Sequence, residues 1–571
     1  MVRRFLERIA APIRGLHQAA YLLAGLTLAS QALALLRDRV FAHAFGAGQV
    51  LDLYYAAFRV PDLVFALVSS LVSAYVIIPR ITGMDRESTR RLLSESATFL
   101  FVVGGMLCVI LAVFMPQFLS FLYPDLVASH YQTQFILLGR ILLVQPILLG
   151  LSGVFSSVTQ VHRRFMLFAI SPVLYNLGII LGAIFLYPYF GLPGIGLGVV
   201  IGAVAYLAVN IPVLIQADVF PRFHMPSFAL MMPVIRDSVP RSLALGMGSI
   251  TALFLTAFAS RIGTGSVSVF TLASNLEAVP LALIGASYAI AAFPALSEAS
   301  ALERREEFTD ILSASARHII LWSIVALGLI VVLRAHLVRV ILGTGAFDWD
   351  ATRLTAALLA ILAVGLVAQG LVLLFSRALY AVRQSWRPLA YQTAGALITV
   401  ALATIFISLS SAGMPTSLAQ HQIGFGAGLA NLLRVSDVPG TSILLLALAA
   451  TLGQIFLALL SLVALRSVSP GLATKLSRPL FDGCAAACAG GAAAYAILAL
   501  EGGIAPLTSL AAVLTQGLVA GVGGLFAAAF ALYLTQNEEF RIVVIAIGKM
   551  IRIPNERISA LVPSADEPPK P

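Results

Sequence analysis

The sequence predicts an all-α polytopic membrane protein with about 14 transmembrane helices, at ~20 apolar residues per span plus short connections. Three observations predict it. The chain has 571 residues, of which 60% are hydrophobic and only 11% charged, whereas a soluble domain of ordinary composition is about a quarter charged. Its mean hydropathy is +0.96, and so few charges cannot clothe a soluble surface. Its basic residues also fall in alternate connections between the apolar runs, as the orientation rule for membrane helices requires.

Fourteen apolar segments carry this architecture: 18–44, 54–82, 95–122, 133–160, 166–188, 192–215, 238–261, 267–297, 312–341, 351–382, 388–409, 441–465, 479–500 and 507–534. They are called spans 1 to 14. Arg3, Arg4, Arg8 and Arg14 precede the first. That start is similar to a signal peptide, but the run is too long and too many spans follow, so it is read as a retained span. Arg86, Arg90 and Arg91 follow span 2, Arg163 and Arg164 span 4, and Arg222 and Arg236 span 6. Arg304 and Arg305 follow span 8, Arg383 and Arg387 span 10, and Lys475 and Arg478 span 12. The opposite connections 116–132, 187–194 and 501–506 hold no Lys or Arg. Both termini are therefore expected in the cytoplasm.

Two stretches stand apart. The connection 409–440 carries Ser, Gly, Gln and Arg434, with a short interfacial helix expected over 424–433. The tail 538–571 has Ile542, Val543, Ile545, Ile551 and Ile553 among Arg541, Lys549, Arg552 and Arg557. That pattern fits a helix on an anionic inner leaflet, ending in a Pro-rich segment.

An internal repeat is expected. Span 2 contains Pro61 and Pro79 behind the turn Gly46-Ala47-Gly48, and span 8 contains Pro280 and Pro294 behind Gly263-Thr264-Gly265. These spans are six apart, which suggests two parallel six-span halves. Gly178-x-x-x-Gly182, Gly198-x-x-x-Gly202 and Gly517-x-x-x-Gly521 mark close helix contacts, and Cys484 and Cys488, one turn apart among alanines, suggest small-residue packing.

Several functions are excluded. The only lysines are Lys475, Lys549 and Lys570, none in a phosphate-binding loop. No His-Glu-x-x-His helix or paired Cys-x-x-Cys cluster is present for zinc, and three cysteines make no disulfide framework. No nucleophile–base constellation suggests an enzyme. The net charge of +10 follows from membrane topology, so no nucleic-acid partner is implied.

Charges inside apolar runs are the functional signal, because each is costly unless it faces water or a partner. Arg37-Asp38-Arg39 in span 1 lies beside Asp52, Arg59 and Asp62 at the start of span 2. This alternation suggests a partly paired network facing a cavity, with leftover positive charge and guanidinium groups suited to phosphate. Arg140 in span 4 is a further candidate, as are Asn275 and Glu277 in span 8. The competing structural reading is a salt-bridge cluster at the outer rim.

These residues also resemble a family. Leu36-Arg37-Asp38, Phe45-Gly46-Ala47-Gly48, Asp52 and Ala57-Phe58-Arg59-Val60-Pro61 are similar to the first two helices of the MurJ/MviN lipid II flippases of the MOP exporter superfamily. Arg163-Arg164-Phe165 with Pro172, Leu174, Asn176 and Leu177, then Pro240-Arg241, Phe293-Pro294-Ala295-Leu296-Ser297, Gly345-Ala346-Phe347-Asp348 and Arg377-Ala378-Leu379-Tyr380-Ala381 ahead of Arg387-Pro388, continue the resemblance in order. It runs from about residue 30 to 390.

The resemblance implies two six-helix lobes, an N-lobe over 18–215 and a C-lobe over 238–465, around a cationic cavity. It also implies spans 13–14 over 479–534 as a lipid-tail groove, between a basic cytoplasmic segment 1–17 and the tail. The implied cargo is lipid II, a polyprenyl-diphosphate glycopeptide moved from inner to outer leaflet of the bacterial cytoplasmic membrane by alternating access. No cofactor is implied; coupling to membrane potential or a monovalent cation is, and cell-wall synthesis proteins are candidate partners. The chain departs from the family at its cavity arginines. Arg37 is retained, but Gln31, Phe65 and Asn275 stand where arginines are expected, and Ser70 replaces an acid. Two alternatives follow. One is an exporter of another polyprenyl-linked glycan or an amphipathic cation, for which Asp38, Asp52 and Glu277 would matter more. The other is a non-transporting scaffold for wall-synthesis enzymes.

Overall fold

The computed structural model describes residues 16–72, 74–162, 164–411, 425–502 and 509–550, and these are all helix, turn and connection, without strands. Eleven helices are long and apolar enough to cross a membrane, and two bent pairs, Gln49–Leu67 with Ser69–Ile81 and Trp349–Ala363 with Leu366–Ala381, raise the number to 13. The first expected span lies in the helix Leu16–Phe45. Each of the fourteen apolar segments thus coincides with a helix or a bent pair. The short helix expected over 424–433 is Phe425–Leu432, and the tail forms the helix Glu538–Met550. The basic segment 1–15, the tail beyond 550 and residues 412–424 lie outside the described residues.

The chain divides into two compact units. The first comprises Met1–Thr271, Thr344–Asp348 and Gln392–Ala403, the second Leu272–Gly343, Trp349–Tyr391 and Thr404–Pro571. Span 7, assigned to the C-lobe from the repeat, clusters with the first unit, so the packing units do not follow the boundaries 18–215 and 238–465.

In the first unit the apolar core gathers Val72, Ile77, Leu93, Leu100, Val154 and Val213. The two glycine pairs of spans 5 and 6 face each other. A Cβ on Gly182 would lie 2.6 Å from the Cα of Gly198, and one on Gly178 would collide with Gly202. With no side chain between them the backbones meet directly, as membrane helices do through small residues.

In the second unit Leu296, Leu312, Phe375, Leu379 and Leu465 form one core, and Leu321, Val325, Ala486, Ala528 and Leu532 join spans 9, 13 and 14 in another. Gly517 and Gly521 pack on His336 and Leu333 of span 9. Cys484 and Cys488, expected in the packing seam, are exposed. The neighbouring face of the same helix, with Gly483, Ala486, Gly490 and Ala494, is the buried one.

Each unit repeats one local arrangement at the ends bearing the basic connections. A cavity of about 360 Å³ is lined by Ile81, Arg86, His162, Arg164 and Val219, from the connections after spans 2, 4 and 6. Its counterpart of about 520 Å³ is lined by Arg304, Arg305, Val382, Gln384 and Ser467, from the connections after spans 8, 10 and 12. The offset of six spans agrees with the expected repeat. Span 2 breaks into a tight turn at Ser69–Val72, whereas span 8 passes through a π-helical turn at Leu281–Ala286 directly after Pro280. Proline lacks an N–H and displaces the ladder, which a widened turn accommodates.

Candidate functional site

The first unit brings four of the charged side chains of spans 1 and 2 into one region. The Arg37 guanidinium donates through Nε and Nη2 to Oδ1 of Asp38, at 3.0 and 2.8 Å, and through Nη1 to Oδ1 of Asn176 in span 5, at 3.1 Å. Asn176 is itself oriented by donating to the Pro172 carbonyl at 3.0 Å, so the Arg37 fork is held in one direction. In span 2, Arg59 donates through Nε to Thr256 at 2.9 Å and reaches Thr271 at 3.4 Å. Both partners are neutral, and among the described residues Arg59 makes no ion pair. Asp62 lies one turn beyond it and acts on it electrostatically.

Tyrosines lie within the electrostatic reach of these charges. Tyr175 feels both Asp62 and Arg37, and Tyr55 feels Asp38, Arg37 and Arg59. Tyr54 and Tyr55 pack edge to face at 5.3 Å, and the buried Tyr55 hydroxyl has no hydrogen-bond partner among the described residues. The sequence reading missed the tyrosines, Thr256 and Thr271, and weighed Asn176 only as part of a resemblance. An amide inside an apolar helix was the available signal.

Arg37 is paired with Asp38, whereas Arg59 has Asp62 one turn away without an ion pair among the described residues, and Arg39 lies elsewhere. Two residues along a helix turn by about 200°, and Arg39 accordingly lines a separate groove of about 470 Å³ with Leu36, His43, Tyr187 and Thr344.

Asp52 is committed to structure. Its carboxylate accepts from the backbone N–H groups of Gly265 and Ser268 at 2.6 and 2.7 Å and from the Ser268 hydroxyl at 2.5 Å. It thereby satisfies the open N–H groups at the start of the helix Ser266–Pro280. Gly265 has φ +86°, and a Cβ there would lie 2.5 Å from the Ala47 carbonyl oxygen, so the two glycine turns lock together. Arg140 does not join the cluster: it is exposed and donates to the Ala112 carbonyl at 2.9 Å. Arg37 and Arg59 both act on Tyr55, and Arg140, the further candidate, stands apart from them.

Phe65 is 39% exposed, and Ser70, at the position of an expected acid, hydrogen-bonds Ser242 at 2.6 Å. In the second unit Asn275 is half-buried. Glu277 is 95% buried, at 5% exposure, and accepts from the Gln369 amide at 2.6 Å. No group of three or more His, Cys, Asp or Glu side chains is arranged to hold a metal ion among the described residues.

Chemically, Arg59 is the conspicuous group. A half-buried guanidinium with two neutral hydrogen bonds keeps several N–H donors for an oxyanion, and its planar fork suits phosphate.

The lipid II flippase MurJ family model matches residues 41–477. A lipid II flippase MurJ of Burkholderia cenocepacia is 27% identical over 432 residues, covering 73% of this chain and 83% of the relative. A probable lipid II flippase MurJ of Thermotoga maritima is 26% identical, covering 76% and 92%. Among solved structures, a lipid II flippase MurJ in an inward closed conformation superimposes with a TM-score of 0.67 at 19% identity, over 90% of this chain and 99% of the other. An inward-facing multidrug resistance MATE transporter of the MOP superfamily gives 0.61 at 17% identity, over 78% and 96%.

Proposed function

This chain belongs to the lipid II flippase MurJ family, and from that membership we propose that it carries lipid II, a polyprenyl-diphosphate glycopeptide, from the inner to the outer leaflet by alternating access. The observation that carries the reading at the level of residues is Arg59, a half-buried guanidinium whose hydrogen bonds among the described residues go only to threonine hydroxyls. It is the cation of the cluster with donors to spare for a diphosphate. Arg37 supports it from span 1, held in place by Asp38 and Asn176. The altered positions Gln31, Phe65 and Asn275 leave the diphosphate fewer guanidinium contacts than the family pattern provides.

The exporter reading based on a cationic cargo is disfavoured by two of its three acids. Asp38 is taken up by Arg37 and Asp52 by three neutral donors at a helix start; Glu277 accepts a single hydrogen bond, from Gln369, among the described residues. The basic connections support a multi-pass chain in the bacterial inner membrane with both termini cytoplasmic. Wall-synthesis proteins remain candidate partners for the basic tail.

The test is genetic. In a bacterium depleted of its own lipid II flippase, this chain is expected to restore growth and outer-leaflet lipid II, and Arg59→Ala to lose that rescue at equal membrane level. Failure of the folded wild-type chain to rescue would overturn the lipid II assignment and leave the fold intact.

A further inference from the structure

We propose that Glu277 and Gln369 form a proton-carrying site that biases the bend in span 10, a refinement that rests on the transport reading above. Three features of the second unit converge there. Glu277 is 5% exposed at mid-helix in span 8, where a carboxylate without a countercharge is costly. Its Oε1 accepts from Gln369 Nε2 at 2.6 Å, and its other oxygen makes no hydrogen bond among the described residues. The third feature is the helix break itself: Trp349–Ala363 and Leu366–Ala381 meet at 47°, and Gly365 at the break faces Glu277. A Cβ on Gly365 would stand 3.7 Å from Glu277 Oε1, 3.2 Å from Gln369 Nε2 and 3.0 Å from the Leu362 carbonyl oxygen.

The surroundings offer a proton rather than a metal ion as the occupant. One carboxylate and one amide donor make a poor cage for a cation that needs six or more oxygen ligands. Among the described residues no charged side chain serves as a fixed counter-ion either. On the neighbouring helices Arg317 holds Glu539, His318 stacks on Tyr288, His336 meets Gln516 and Arg353 holds Asp437. Arg377, on the helix of Gln369, stands more than two turns beyond it.

The ionised carboxylate is held by the Gln369 N–H and by the positive end of the helix Leu366–Ala381, which fastens span 8 to the break. Taking up a proton removes the charge that both of these recognise. The clamp on the break then weakens, and releasing the proton restores it. A discontinuous helix with an ionisable group at its break is where membrane transporters couple ions to movement.

The experiment uses the full chain in proteoliposomes. Infrared difference spectra are recorded across pH, and fluorescent lipid II translocation is measured with and without an imposed proton gradient. A protonated-carboxyl C=O band that titrates in wild type and is absent in Glu277→Gln is expected, with stimulation by the gradient lost in that variant. Gln369→Leu, which keeps Glu277, is expected to shift the midpoint of the band and guards against a misfolded first variant. Identical bands in wild type and Glu277→Gln, or gradient stimulation persisting in Glu277→Gln, would overturn the proposal. A titrating Glu277 band without lipid II movement in wild type would support the proton site and overturn the cargo reading instead.

Discussion

At the scale of single residues, neighbouring charges in spans 1 and 2 have separate roles. Arg59 has spare donors, so Arg59→Ala is expected to weaken binding of lipid II to the chain in nanodiscs by about 1.5–3 kcal/mol, roughly ten- to a hundredfold. Unchanged affinity would remove Arg59 from the cargo site. Asp52 instead closes a helix start. Asp52→Ala is expected to lower thermal stability in detergent by about 1–2 kcal/mol, with cargo affinity of the folded fraction retained; a selective loss of affinity would return Asp52 to the binding site. Asp437, outside the spans, sits below its ordinary value of 3.8 because Arg353 hydrogen-bonds its carboxylate. A depressed folded value means the contact contributes fully above the unfolded value and is lost as pH falls through the folded one. Hydrogen exchange at 433–440 is therefore expected to stay slow near neutrality and to quicken only in strong acid, and Asp437→Asn to abolish that acid step.

At the scale of elements, glycine decides how close two helices come and where one bends. Gly178, Gly182, Gly198 and Gly202 leave no room for any side chain between spans 5 and 6. Gly198→Val is expected to cost about 1–3 kcal/mol or more through overpacking, seen as a lower midpoint of thermal unfolding, whereas Gly105→Ala, which meets nothing within 4 Å, is expected to leave it unchanged. Connections were legible in their charge and illegible in their closure. Asp218, Glu303, Arg383 and Gln536 end helices with φ of 55, 56, 58 and 50°, although none is the glycine that such ends favour. Backbone bonds such as Arg304 N–H to Ala299 O at 2.9 Å and Gln384 N–H to Leu379 O at 2.9 Å hold them there. Nothing in the side chains announces those bonds.

At the scale of the whole molecule, composition and periodic charge made the fold legible, since lipid accepts little besides satisfied helices. Fourteen apolar runs became helices or bent pairs because a run of about 20 apolar residues has one stable form in a bilayer. The bends themselves were not foreseen. Pro61 marked span 2, but the break came at Val68, and span 10 bends without any proline at Val364–Gly365. Orientation is a whole-molecule prediction: a reporter fused after residue 571 is expected to be active only in its cytoplasmic form, and an active periplasmic fusion would overturn the arginine count.

The sequence by itself determined the solvent this chain folds in, the number and order of its helices and the family to which it belongs. Those properties are carried by local runs of residues and need no contact between distant ones. Tertiary structure alone decided which charges remain for a ligand. Asp52 meets a helix start 213 positions away, and the Arg37 guanidinium is aimed by Asn176, 139 positions away. The same packing set Arg140 on the outside and buried Glu277 against Gln369. A charge in a low-dielectric interior is defined by its partners, and its partners are fixed only when the helices have packed.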